Sequence, residues 1–251
     1  DSLTSIGSGA FACTRLTEIT IPRNVTTIGS GVLYGIVDNN NTDVLTTIRV
    51  ADGNAKFRII DHALYEIKNN APYRAIAYPS ATAVTDYAIA DGTALVDNYA
   101  FYRCPLTALT LPDSVTTLNS YAFAECKNLT SVSFGKNVSS IQFGASGSFK
   151  NCANLAVLTT PDADSKLKAV ENVLYNADFT TLMFYPFGKT EKEFHVPETV
   201  ATVGSYAFYY VPKLVELYLP QTLSVLQANA INHNSKLKSI YFAGNEPQAN
   251  G

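Results

Sequence analysis

The chain has 251 residues, 47% of them hydrophobic and 16% charged, with a formal net charge of -3 and a pI near 5.6. That apolar share excludes a disordered chain, and the slight acidity leaves no broad cationic surface for nucleic acid or anionic lipid. No apolar run reaches the roughly 20 residues that a membrane-spanning helix needs, so membrane insertion is not expected.

The sequence opens on "DSLTSIGSGAF", already the middle of a phrase that returns later, so the N-terminus reads as truncated mid-repeat. From Leu16 comes "LTEITIP". The same L-x-x-I-x-I/L-P phrase returns as "LTALTLP" from Leu106 and "LVELYLP" from Leu214, with looser copies from Leu45, Leu129, Leu155 and Leu237. Apolar Ile19 and Ile21 alternate with polar Thr20 and a proline then stops pairing, which is the pattern of a short, half-buried strand. A second phrase, V-x-x-I/L-G/N-x-x-A-F-x-x-C, follows, as in Val115, Leu118, Ala122, Phe123 and Cys126. Its V-x-x-L part turns apolar side chains back inward, and its A-F-x-x-C part predicts one helical or 3₁₀ turn. Leu106 to Leu129 and Leu214 to Leu237 are each 23 residues apart, which sets the repeat. One such coil cannot cover its own apolar side chains, so neighbours must stack.

Two stretches interrupt the rhythm, at about 51–83 and 161–190, and they resemble each other. Leu64-Tyr65 and Leu174-Tyr175 lie 110 residues apart, and Tyr78-Pro79 and Tyr185-Pro186 lie 107 apart. Each reads as a β-hairpin insert projecting from one edge of the stack. The expectation is one α/β repeat domain over 1–251: a solenoid with parallel strands on one face and short helical or 3₁₀ turns on the other. Nine strand phrases should form one continuous stack, with Phe101, Phe123 and Phe208 in one core. The tail "FAGNEPQANG" from Phe242 reads as the chain leaving its last coil.

Cys104, Cys126 and Cys152 each follow a phenylalanine by three residues and Cys13 follows Phe11 by two. They occupy one repeat position, so four buried free thiols are expected rather than a disulfide framework or a zinc site, whose ligands must converge on one point. "GSGAFA" and "GSGVLYG" touch a dinucleotide fingerprint, but Asn119-Ser120-Tyr121 fills the same position elsewhere, which marks it as a turn preference. "DADSKLKAVE" from Asp162 lacks the glycine and final acid of a calcium loop. His62, His195 and His233 stand in separate coils beside no nucleophile motif. No cofactor, metal or catalytic residue is expected.

Strand side chains alternate, so the residue between the two inward positions of each repeat forms an exposed column. It reads Thr20, Arg49, Ala88, Thr110, Ser133, Thr159, His195, Tyr218 and Tyr241, and the flanking column ends in Glu193, Glu216 and Ser239. The small, polar start gives way to large rings. Glu193, His195, Glu216, Tyr218, Ser239 and Tyr241 are therefore the candidate recognition surface, expected to present a flat aromatic face with acceptors at its rim. Tyr65, Tyr78, Tyr175 and Tyr185 in the inserts form the other aromatic concentration.

Pro22, Pro112, Pro197 and Pro220 after the strands, the A-F pairs at Phe11, Phe101, Phe123 and Phe208, and the F-x-x-C triples resemble the BspA-like leucine-rich repeats of bacterial secreted and surface proteins. The likeness covers nearly the whole chain, and it departs from commoner leucine-rich repeats in lacking N/C-x-L after the strand. It implies a leucine-rich-repeat solenoid, a secreted or cell-surface location, and non-catalytic adhesion or recognition of a host or bacterial surface protein or glycan. It offers no catalytic residues. The competing readings are a structural spacer without a ligand and a polysaccharide-active enzyme on a β-solenoid, which would need convergent carboxylates on one exposed column.

Overall fold

The computed structural model describes residues 2–161, 164–243 and 248–249. A single coil shows how the sequence folds. In the strand Ala108–Thr110 the side chain of Leu109 is buried while Thr110 is exposed. After Pro112 the amide of Val115 returns to the Pro112 carbonyl at 3.1 Å, and the same turn closes Pro22–Val25, Pro197–Val200 and Pro220–Leu223. Proline thus ends the strand and opens the corner. At the next corner Thr116 Oγ1 donates to the carbonyl of Ala94 in the preceding coil at 3.1 Å. Thr26, Thr46, Thr107 and Thr130 do the same in other coils, which explains why corners favour threonine.

The A-F segments correct the α/β expectation. The one helical segment among the described residues is the 3₁₀ turn Gly144–Ser146. Tyr121 and Glu125, four residues apart, both have positive φ (59° and 61°), and so do Gly9 and Cys13, Gly31 and Gly35, Tyr99 and Arg103, Tyr206 and Tyr210, and Asn229 and His233. A helix cannot run through left-handed residues. Instead, amides alternate in direction: Ala122 donates to Asn119 within its own coil at 3.2 Å, and Phe123 donates to Ser148 in the next coil at 2.8 Å. The segment is tied half to itself and half to its neighbour. The fold is a β-solenoid of leucine-rich repeats.

Among the described residues nine parallel strands line the first face, but in three ladders rather than one continuous stack. Glu18–Ile21 pairs with Thr47–Val50. Four strands follow, Asp86–Ala88, Ala108–Thr110, Ser131–Ser133 and Val157–Thr159. The last ladder holds Glu193–His195, Glu216–Leu219 and Ser239–Phe242. The breaks fall where the inserts lie.

Those inserts are three-stranded antiparallel sheets, Phe57–Ile60 with Ala63–Lys68 and Ala71–Ala77, then Leu167–Val170 with Val173–Asn176 and Thr181–Phe184. Their third strands pair in parallel with Leu95–Val96 and Thr202–Val203, each starting a new ladder of the second face. They do not project from an edge. Their middle strands are buried on both sides: Leu64 faces a first core with Phe57 and Ile48, while Tyr65 faces a second with Tyr87 and Phe101. Likewise Leu174 faces the second core and Tyr175 a third. The inserts are septa that divide the interior into three compartments. Burying Leu64 and Leu174 fully contributes roughly 1.5 to 3 kcal/mol each. Phe208 consequently sits in a different core from Phe101 and Phe123, against the single-core expectation.

At the first septum, Arg74 spans the break in the second face. Its guanidinium meets Glu66 and Asp97 at 2.7 Å and the carbonyl of Ile28, in the preceding compartment, at 2.7 Å. Ser30 adds a hydrogen bond to Asp97 at 2.9 Å. The second septum, with Thr181 at the matching position, has no such tie among the described residues.

Cys104, Cys126 and Cys152 are buried free thiols, whereas Cys13 is exposed. The expectation of four buried thiols fails by one residue of spacing. Three residues after Phe11 stands Thr14, which takes the inward position, and Cys13 falls on the outward left-handed one. Asp162 and Ala163 at the start of the calcium-like stretch, and residues 244–247, 250 and 251 of the tail, lie outside the described residues.

Candidate functional site

The third ladder of the first face brings the six candidate residues together. Parallel pairing sets Glu193 beside Glu216 and Glu216 beside Ser239, and His195 beside Tyr218 and Tyr218 beside Tyr241. The inward partners Phe194 and Leu217 are buried, which holds the outward column in place. The rings of His195 and Tyr218 stack with centroids 4.1 Å apart and planes 5° from parallel. Those of Tyr218 and Tyr241 stack at 4.6 Å and 15°.

This geometry corrects the expected flat aromatic face. The ring faces are turned along the solenoid axis and cover one another, so the surface shows ring edges and hydroxyls. Tyr241 remains 45% exposed. The hydroxyl of Tyr218 donates to Glu216 Oε2 at 2.8 Å. That bond to a carboxylate, followed by desolvation and the Glu216 charge, pushes the phenol up to about 12 from its ordinary 10.0. Beside the ridge runs an open groove of about 400 Å³, lined by His195, Pro197, Glu198, Tyr218, Pro220 and Tyr241.

The other ladders look different. The middle one carries Ala88, Thr110, Ser133 and Thr159 in the same column, all small. The first carries Thr20 and Arg49, with Arg49 Nη1 on Glu18 Oε2 at 2.7 Å. Tyr65, Tyr78, Tyr175 and Tyr185 in the inserts are buried and offer no surface. Among the described residues no three His, Cys, Asp or Glu side chains gather as a metal site would require.

A second aromatic ladder lies on the turn face, where sequence reasoning placed none. Tyr34 stacks on Tyr99 at 4.3 Å and Tyr99 on Tyr121 at 4.7 Å, with Lys150 Nζ 5.4 Å from the Tyr121 ring. Its signal was the tyrosine directly before the A-F pair at Tyr99, Tyr121 and Tyr206, all left-handed. Tyr34 stands one place after the A-F position, where Tyr102 and Tyr209 stand in other coils. These rings are partly buried and fill a seam between coils.

Residues 1–58, 94–186 and 167–248 match the model of the BspA type leucine-rich repeat region, in six copies. The chain belongs to that family. The unmatched interval holds most of the first septum. Similar solved structures are a leucine-rich cell surface protein from Faecalibacterium prausnitzii A2-165, at 24% identity and TM-score 0.58 over 97% of this chain and 52% of that one. The pneumococcal vaccine antigen PcpA is similar at 20% identity and TM-score 0.65, over 95% and 56%. A leucine-rich repeat protein from Bacteroides ovatus ATCC 8483 follows at 18% and 0.54, over 96% and 64%. The chain thus spans between 52% and 64% of their lengths, and at these identities the likeness is one of fold. No curated protein sequence matches the chain. No helix among the described residues is long and apolar enough to cross a membrane.

Proposed function

We propose that the chain is a non-catalytic recognition module whose third first-face ladder binds another protein, at the cell surface or after secretion. The observation that carries this reading is the stacked His195, Tyr218 and Tyr241 ridge beside an open groove, on a face whose other columns hold small residues or an internal ion pair. Rigid, part-exposed tyrosines with polar tips suit protein interfaces. A protein is favoured over a glycan because sugars stack on ring faces, and here the inner faces are covered. The location is assigned by analogy with the Faecalibacterium structure, described as a cell surface protein.

The groove is open along its length, unlike the enclosing clefts that take small molecules. Glu193 and Glu216 stand side by side on neighbouring strands and do not line the groove, whose carboxylate is Glu198. A glycosidase needs its carboxylates on either side of the scissile bond, so their placement supports binding over hydrolysis. The spacer reading predicts no specific partner at all. Arrays of secreted and cell-surface ectodomains and of glycans, probed with the chain and with its Tyr218→Ala/Tyr241→Ala variant, separate the readings. A protein signal that the variant loses supports recognition. Silence on both arrays favours the spacer, and a glycan signal insensitive to the tyrosines removes the ridge from the account.

A further inference from the structure

The third ladder carries carboxylates that nothing in the described chain neutralises. None of the ion pairs among the described residues involves Glu193, Glu198 or Glu216. Lys192 and Lys238, which flank the strand starts, reach none of these carboxylates within ion-pair distance. Among the described residues, the side-chain hydrogen bond on this acidic set is the one Glu216 accepts from Tyr218.

The first ladder of the same face shows what is missing. There Glu18 pairs in register with Thr47, and the next outward residue on that neighbouring strand, Arg49, donates to Glu18 at 2.7 Å. In the third ladder Glu193 pairs with Glu216, and the next outward residue is Tyr218. Glu216 pairs with Ser239, and the next outward residue is Tyr241. The position that holds an arginine in the first ladder holds a tyrosine in the third, while the acid is kept. Glu198 adds a further carboxylate on the groove side of the ridge.

We propose that the partner is a cationic, extended polypeptide segment that lies along the ridge and sets arginine or lysine heads on Glu193 and Glu216; this rests on the ladder being the recognition surface. Carboxylates give such heads charge-assisted hydrogen bonds. The apolar stems of the same side chains lie against ring edges. Three rungs span roughly 10 Å at about 4.8 Å each, the length of about three extended residues. An acidic partner would instead meet uncompensated like charges.

The test uses the 251-residue chain and fluorescein-labelled pentapeptides, Val-Arg-Val-Arg-Val and Val-Glu-Val-Glu-Val, read by fluorescence anisotropy at low and high salt. The basic peptide should bind saturably and weaken with salt, and the acidic peptide should not bind. Glu193→Gln/Glu216→Gln should weaken the basic peptide about tenfold. Asp52→Asn/Asp91→Asn, which removes two charges from exposed turns elsewhere, should change it less than twofold. All four substitutions are at non-buried positions, and matching melting curves confirm intact folds. Equal weakening in the two double variants would reduce the effect to net charge and overturn the assignment. So would failure of the basic peptide to bind the unaltered chain. Either result leaves the ridge itself to the tyrosine variants on the ectodomain array, so loss of the cation assignment and loss of the recognition surface are read separately.

Discussion

The thiol of Cys126 donates to the carbonyl of Phe101, 3.1 Å away and one coil earlier. Cys152 repeats the bond to Phe123 at 3.1 Å, and Asn234 Nδ2 makes it to Phe208 at 2.6 Å. In these coils the position holds a side chain with a donor, whereas Ile36 and Val211 fill it in other coils with buried hydrocarbon. Cys126→Ser keeps a donor and should cost about 1 kcal/mol by urea unfolding, less than a partnerless buried hydroxyl would. A loss above about 3 kcal/mol would mean that the serine cannot reach the carbonyl. Burial also raises the Cys126 and Cys152 thiols above their ordinary range. A thiol reagent should thus label Cys13 alone in the native protein and all four cysteines in denaturant.

Arg74 should be the costliest polar residue to remove. Its partner Asp97 has a side chain only 3% exposed, so Arg74→Met leaves a buried carboxylate with the Ser30 hydroxyl and its own neighbouring amide. The expected loss is about 3 to 5 kcal/mol. Glu66→Gln, at the wetter end of the same network, should cost about 1 kcal/mol or less. Chemical denaturation of both variants checks the order, and equal losses would mean that the septum is not pinned through Asp97.

Alkaline pH should destabilise the fold through its buried tyrosines. Burial raises the phenols of Tyr65, Tyr87, Tyr175 and Tyr185 above their ordinary 10.0. Above pH 10 the unfolded chain releases these protons while the native chain retains them, so stability falls as pH rises toward the folded values. Urea midpoints at pH 9 and pH 11 test the sign. Within this set the Tyr185 hydroxyl is buried without a hydrogen-bond partner. Tyr185→Phe should therefore be neutral or stabilise by up to about 1 kcal/mol.

Much of the fold was legible because its signals are local. Alternation around Leu109 and the proline at Pro112 mark strand and corner, and the nine strands pair in register within their three ladders. The turns were misread because F-x-x-C spacing fits a helix as well as it fits a left-handed residue every fourth position. Tyrosine at such a position, as at Tyr121, is a rare choice that composition cannot announce. The septa were misread because "ALYEIK" has apolar residues on both faces, which demands burial on both sides but does not say between what. At the candidate site, sequence gave the column and its order. Ring orientation was not legible, since it depends on side-chain rotation about a register that only stacking fixes.

The central claim is that the third ladder, and not the whole first face, is the recognition surface. The most direct measurement is the affinity of the chain for a protein selected on the ectodomain array, compared among Tyr218→Ala, Tyr241→Ala and Thr110→Ala. Each tyrosine variant should lose about 1 to 3 kcal/mol of binding free energy, and Thr110→Ala, in the middle ladder, should change it by less than about 0.5 kcal/mol. Equal losses at all three positions, or none at either tyrosine, would contradict the account.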